Sequence, residues 1–134
     1  MTVDPFDLVD VRLKNGDSAK GLRDLRDILQ HPVIVDFASP KMKFRCRGGV
    51  DGESIVKALG VQRKNRTGVL VYDFTAGLGT DAFLLAAAGF SVVGFERDPK
   101  IFALLEDGLR RFRLDAIESS QGLDLKFLPG EAKD

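Results

Sequence analysis

Val69-Leu70-Val71-Tyr72-Asp73-Phe74-Thr75-Ala76-Gly77-Leu78-Gly79-Thr80-Asp81-Ala82-Phe83 is the stretch whose reading decides the fold. The apolar run Val69–Tyr72 suits a strand covered on both faces. An acid, Asp73, ends that strand and precedes a turn with glycines at 77 and 79. An alanine- and leucine-rich helix then spans Thr80–Ala88 and closes at Gly89. Glycines at such a turn let the backbone bend sharply and let a ligand approach with no Cβ in the way. The helix starting near Gly79 directs its free N–H groups at the same place. Strand, acid, glycine turn and helix together form the entrance to a cofactor site of the nucleotide type.

Downstream, Ser91–Phe95 reads as a second strand, and Asp98 and Pro99 suit the cap and first turn of another helix. That helix is predicted to run to about Phe112, with Ile101, Leu104, Leu105, Leu109 and Phe112 on one side. Leu123–Leu128 is a third strand, before Pro129-Gly130. The order β-α-β-α-β is the N-terminal half of a doubly wound, Rossmann-like parallel sheet with right-handed crossovers.

Upstream, Val9–Leu13 alternates apolar and polar residues into the turn signal Asn15-Gly16, which predicts a short strand. Leu22, Leu25, Ile28 and Leu29 recur at helical spacing and predict an amphipathic helix. Val33–Phe37 is a β-branched run and reads as a strand. Pro40–Asp51 has no consistent period and reads as a basic loop. Glu53–Leu59 reads as a helix ending at Gly60. The chain therefore divides into a small α+β segment over residues 1–66 and a partial cofactor-binding domain over residues 67–134.

The bulk composition narrows the class. At 134 residues, 44% hydrophobic and 30% charged, the chain has ordinary globular proportions. No apolar run approaches the roughly 18 residues of a membrane span. The N-terminus lacks the basic and apolar regions of a secretory signal, and a lone cysteine, Cys46, permits no internal disulfide. Both point to the cytoplasm. One cysteine and one histidine leave almost nothing for a structural metal site, and His31, before Pro32, reads as a loop residue. The net charge of zero is unevenly spread. Residues 1–40 hold five basic and seven acidic side chains, residues 41–66 eight and two, and residues 67–134 seven and eleven. A basic segment beside an acidic cofactor domain suits an RNA-modifying enzyme, and a solvated lysine-rich loop is the plain alternative.

Two carboxylates discriminate among cofactors. Gly77 through Ala82 satisfies the relaxed dinucleotide pattern G-x-G-x-x-A, which occurs too often to decide the matter. Asp73, four positions before Gly77, would repel a pyrophosphate but attract a sulfonium and an amino group. Glu96 follows the second strand, 23 residues after Asp73, where a carboxylate can accept both ribose hydroxyls of an adenosine. The pair favours S-adenosylmethionine (SAM) over NAD.

At this point a family resemblance becomes specific. Asp73-Phe74-Thr75-Ala76-Gly77-Leu78-Gly79-Thr80-Asp81-Ala82-Phe83 resembles the D-A-T-A-G-L-G-R-D-A-F signature of the RsmJ-type family of small-subunit ribosomal RNA guanine-N2 methyltransferases, which use SAM. Phe95-Glu96-Arg97-Asp98-Pro99 is similar to its L-E-R-N-P, and Ala103–Leu109 to its A-L-L-D-D-G-L. Val35-Asp36-Phe37, Gly48–Glu53 and Lys57–Gly60 follow its V-D-F, G-G-G-R-G-E and K-A-V-G segments. The likeness covers about residues 33–132. It implies that Thr80-Asp81 and Glu96-Arg97 contact the cofactor, and that Glu131-Ala132 approaches the adenine. With Asp73, Gly77 and Gly79 these make up the expected site.

Three departures bear on function. Thr80 replaces an arginine, Phe74 replaces a small alanine beside the turn, where it would narrow the pocket, and Asp51 replaces an arginine that RNA would attract. The resemblance also implies a fourth strand carrying D-P-M-F-P, absent before Asp134, so no catalytic residue is assigned here. The sequence thus suits either the SAM-binding portion of such an enzyme or an inactive binding module, with an NAD-binding domain third. The missing strand would pair with the free edge of Val69–Tyr72, which predicts dimerisation or a complementing chain.

Overall fold

The Asn15-Gly16 turn folds the N-terminus into an antiparallel hairpin in the computed structural model, which describes residues 3–115 and 123–130. Strands β1 (Phe6–Arg12) and β2 (Ser18–Asp24) pair from Phe6 opposite Asp24 to Arg12 opposite Ser18. The helix expected from Leu22, Leu25, Ile28 and Leu29 does not form. Leu22 belongs to β2, where it exchanges backbone hydrogen bonds with Val33, and Leu25, Ile28 and Leu29 are exposed in the turns that follow. The inward positions of this strand are small. Ala19 is buried, and a Cβ on Gly21 would come within 2.6 Å of Val11 Cγ2. Hydrophobic periodicity is blind to a strand face built from alanine and glycine.

Val33–Phe37 likewise forms no strand, only the isolated bridge at Val33, although Val35 and Phe37 are buried. Within the predicted basic loop lies a helix, α1 (Pro40–Cys46). Ser39 caps it, its Oγ accepting a hydrogen bond from the Met42 N–H at 3.1 Å, and Pro40 occupies the first turn. Met42 is its one buried side chain, so there was no apolar stripe to recognise. Helix α2 (Ser54–Leu59) ends as expected at Gly60, whose φ of 65° suits glycine.

From residue 70 the alternating pattern holds. Strand β3 (Leu70–Asp73), helix α3 (Thr80–Ala87), strand β4 (Ser91–Glu96), helix α4 (Pro99–Asp115) and strand β5 (Leu125–Pro129) follow in order, and the parallel sheet runs β3-β4-β5. Asp98 caps α4, its Oδ1 accepting from the N–H groups of Lys100 (2.9 Å) and Ile101 (3.3 Å). β3 is not covered on both faces: it lies at the edge, with Leu70 51% and Tyr72 53% exposed. Its other neighbour in a full doubly wound sheet is not among the described residues.

One core joins the two ends of the chain. Phe37 stacks on Phe83 at 4.8 Å, Phe83 meets Phe112 edge-on at 5.1 Å, and Val35, Val50 and Val56 pack with Leu84, Leu104, Leu105, Leu125 and Phe127. A polar clasp adds to this. The buried Asp107 on α4 accepts hydrogen bonds from the Lys20 N–H of β2 (2.9 Å), Arg110 (2.8 Å) and Arg111 (2.9 Å), and Arg111 also donates to the Val35 carbonyl.

Candidate functional site

Parallel strands deliver their last residues to one end of the sheet, the end at which open α/β sheets take their ligands. Asp73 lies beside Gly94 in the β3–β4 register, and Glu96 beside Pro129 in the β4–β5 register. Both carboxylates therefore stand at the carboxyl ends of neighbouring strands. Asp73 accepts a hydrogen bond from the Thr75 N–H (3.2 Å), and Glu96 accepts one from the Asp98 N–H (3.4 Å). Neither forms an ion pair among the described residues. Backbone hydrogen bonds fix the frame: Ala76 N–H to Phe95 O (3.1 Å), Gly79 N–H to Ala76 O (2.8 Å) and Gly130 N–H to Glu96 O (3.0 Å).

The two glycines of the turn have different roles. Gly77 (φ 54°) faces open space, with nothing within 4 Å of where a Cβ would stand. Gly79 (φ 83°) faces the core, where a Cβ would meet Leu105 at 2.7 Å, Phe37 at 3.0 Å and Phe127 at 3.1 Å. Only Gly77 has the bare approach expected of a ligand-facing glycine; Gly79 is required by packing. Gly94, unremarked in the sequence, is needed for a similar reason, since a Cβ there would lie 2.8 Å from Phe127 Cδ1.

Thr80 is half-buried at the start of α3, Asp81 is exposed in its first turn, and Arg97 is exposed directly after Glu96. Glu131 and Ala132 lie outside the described residues. Phe74 is exposed, its ring 6.3 Å from that of Tyr72 and 6.2 Å from that of Phe95. The site fits an adenosine bearing a cationic side chain: room above Gly77, a helix N-terminus, and two carboxylates uncommitted to cations of the described chain.

A cleft of about 190 Å³ opens between α1 and the turn, lined by Asp36, Lys41, Met42, Arg45, Leu78 and Thr80 among others. Ser39-Pro40 is the one sequence signal that precedes it, and that signal marks the helix rather than the cleft. Arg45 is fixed there by two hydrogen bonds to Glu53 (3.0 and 2.9 Å), which hold the Glu53 carboxyl below its ordinary range.

Asp51, the departure expected to remove a charge from RNA's reach, is an ion-pair partner. It accepts from Arg66 (2.6 Å) and lies 3.2 Å from Arg63, and the Arg66 hydrogen bond is the main reason its carboxyl is held low. Arg66 is buried, donates also to the carbonyls of Val61 (3.0 Å) and Ala88 (3.1 Å), and lies over the Phe90 ring. His31 is exposed, and burial pushes the Cys46 thiol up. Among the described residues no group of histidine, cysteine and acidic side chains is arranged to hold a metal. No helix there is long and apolar enough to cross a membrane.

Comparison with known proteins identifies the family. A family model described as "Putative SAM-dependent methyltransferase" matches residues 7–133. Ribosomal RNA small subunit methyltransferase J of Ectopseudomonas mendocina (strain ymp) is 43% identical over 126 residues, 93% of this chain and 48% of that protein. The protein of the same name from Dechloromonas aromatica (strain RCB) is 46% identical over 107 residues, 79% of this chain and 43% of that one. A crystal structure of a SAM-dependent methyltransferase from Neisseria gonorrhoeae superposes with a TM-score of 0.66 at 34% identity, covering 85% of this chain and 44% of that one. The chain spans about half the length of the curated relatives it matches.

Proposed function

This chain belongs to the SAM-dependent methyltransferase family, and we propose that it forms the cofactor-holding part of a cytoplasmic enzyme that methylates the exocyclic amine of a guanine in small-subunit ribosomal RNA. The names of its relatives support the RNA substrate, and the resemblance of residues 73–83 supports the guanine amine. The observation that carries the cofactor assignment is the placement of Asp73 and Glu96 at adjacent strand ends, flanking a turn with open space above Gly77.

When bound, SAM supplies a methyl group on a positively charged sulfur. Asp73, oriented by its own hydrogen bond from Thr75, would provide the negative charge that holds the cationic end. Glu96 would accept the ribose hydroxyls, and Thr80 and Asp81 would contribute from the first turn of α3, with Arg97 beyond the end of β4; the family resemblance adds Glu131 and Ala132. The transfer asks chiefly for alignment of acceptor and methyl, so holding the two in place is the chain's contribution. The basic segment over residues 41–66 is the side from which RNA approaches.

Titration calorimetry with SAM, S-adenosylhomocysteine and NAD tests the proposal. The first two should bind and NAD should not; binding of NAD alone would overturn it. Glu96→Gln should weaken SAM by roughly ten- to a hundredfold, the value of a charged hydrogen bond of about 1.5–3 kcal/mol. Asp81→Ala should weaken it too, and unchanged affinity would remove Asp81 from the site.

A further inference from the structure

Helix α1 carries an unusual surface. Phe44 is 71% exposed, with Lys43 before it in the chain and the Arg47 guanidinium 6.0 Å from its ring centroid. A single exposed apolar residue is ordinary on a protein surface. Here, however, the ring shares its stretch of chain with three cations that form no ion pair among the described residues. Of the eight basic residues over 41–66, Arg45 is tied to Glu53, and Arg63 and Arg66 to Asp51. Lys41, Lys43 and Arg47 form no ion pair among the described residues. The same short helix turns Lys41, Met42 and Arg45 toward the cleft that it shares with Leu78 and Thr80. At about 1.5 Å of rise per residue, Phe44 lies within roughly 5 Å along the axis of the cleft-lining Lys41.

An exposed aromatic ring with an arginine over it and two lysines on the same helix, none of them ion-paired among the described residues, suits a chain that offers both flat bases and phosphates. A duplex hides its base faces; a single strand presents them. We infer that α1 is a stacking platform for single-stranded RNA, in which Phe44 receives an unpaired base while Lys41, Lys43 and Arg47 hold the neighbouring phosphates. The strand is thereby delivered to the mouth of the cleft at Leu78 and Thr80. This rests on ribosomal RNA being the acceptor and names the part of the chain that grips it.

The chain has no tryptophan, so Phe44→Trp introduces a single indole as a reporter. Titration with a single-stranded oligoribonucleotide should quench its emission to saturation, and the same sequence as a duplex should quench it weakly. Phe44→Ala should lower single-strand affinity about tenfold, the usual loss of a base–aromatic stack, while SAM affinity by calorimetry stays unchanged. Lys43→Ala and Arg47→Ala should each reduce the salt slope by about 0.7, as for one single-strand phosphate contact. If Phe44→Ala binds as the parent does while the lysine and arginine variants weaken, the platform is overturned and the RNA substrate stands. If the parent chain binds SAM but no RNA, both are overturned. Self-association that Phe44→Ala abolishes, without RNA binding, would assign the face to a protein contact and overturn the inference.

Discussion

Gly77 and Gly79 sit two residues apart, both at positive φ, and alanine at each should fail differently. At Gly79 an added Cβ falls 2.7 Å from Leu105, 3.0 Å from Phe37 and 3.1 Å from Phe127, all well inside van der Waals contact. Leu105 is fully buried and Phe37 is buried in the same core, so they have little room to retreat. Overpacking of this kind costs about 1–3 kcal/mol, and a left-handed backbone at a non-glycine residue about 1–2 kcal/mol more. The combined ~2–5 kcal/mol is a large share of the ~5–15 kcal/mol that holds a domain folded. At Gly77 only the backbone cost applies, about 1–2 kcal/mol, because nothing lies within 4 Å of the new methyl. That methyl does occupy the space a ligand would need. Urea unfolding of both variants, paired with SAM calorimetry, separates the two effects. Gly79→Ala should lose stability severely. Gly77→Ala should stay folded and lose SAM affinity by at least tenfold. Equal unfolding midpoints for the two variants, or full SAM affinity in Gly77→Ala, would refute the division of roles.

Arg66→Ala should destabilise by about 2–4 kcal/mol in thermal or chemical unfolding, because it orphans the Val61 and Ala88 carbonyls beneath it. Asp51→Asn should cost under about 1 kcal/mol, its side chain being half exposed; the opposite ranking would show that the ion pair, not the carbonyls, matters. Burial opposes ionisation of Asp107, but hydrogen bonds from the Lys20 N–H, Arg110 and Arg111 outweigh it and hold the carboxyl low. Its stabilising contribution is therefore complete above the unfolded carboxylate value of about 3.9 and fades as the pH falls below that. Asp107→Asn should flatten the acid limb of the stability profile, and a wild-type-like limb would remove Asp107 as its source. Finally, among the described residues β3 has an unpaired edge, with Leu70 and Tyr72 exposed, so light scattering should show concentration-dependent association that Tyr72→Lys suppresses. A monomer at every concentration would count against it.

The sequence by itself determined the part from Val69 to Pro129. There each element declares itself locally, through an apolar run, the Gly77–Gly79 turn, and the Asp98-Pro99 helix start; the helices close their own backbone hydrogen bonds, and the strands bond to neighbours one crossover away. The acids at 73 and 96 were legible for the same reason, since the end of a parallel strand is a position that sequence can locate. Tertiary structure decided the rest. Residues 18–47 carry small or polar side chains at the positions that matter: Ala19 and Gly21 facing inward, Ser39 capping α1, Met42 alone anchoring it. Their conformation depends on partners far along the chain, with Lys20 held by Asp107 and Val35 by Arg111. Long-range contact likewise separated Gly77 from Gly79, turned Asp51 from a lost RNA contact into the partner of Arg66, and left Phe44 exposed beside Arg47. Local periodicity reports which face of an element is apolar; it does not report which distant residue will meet that face.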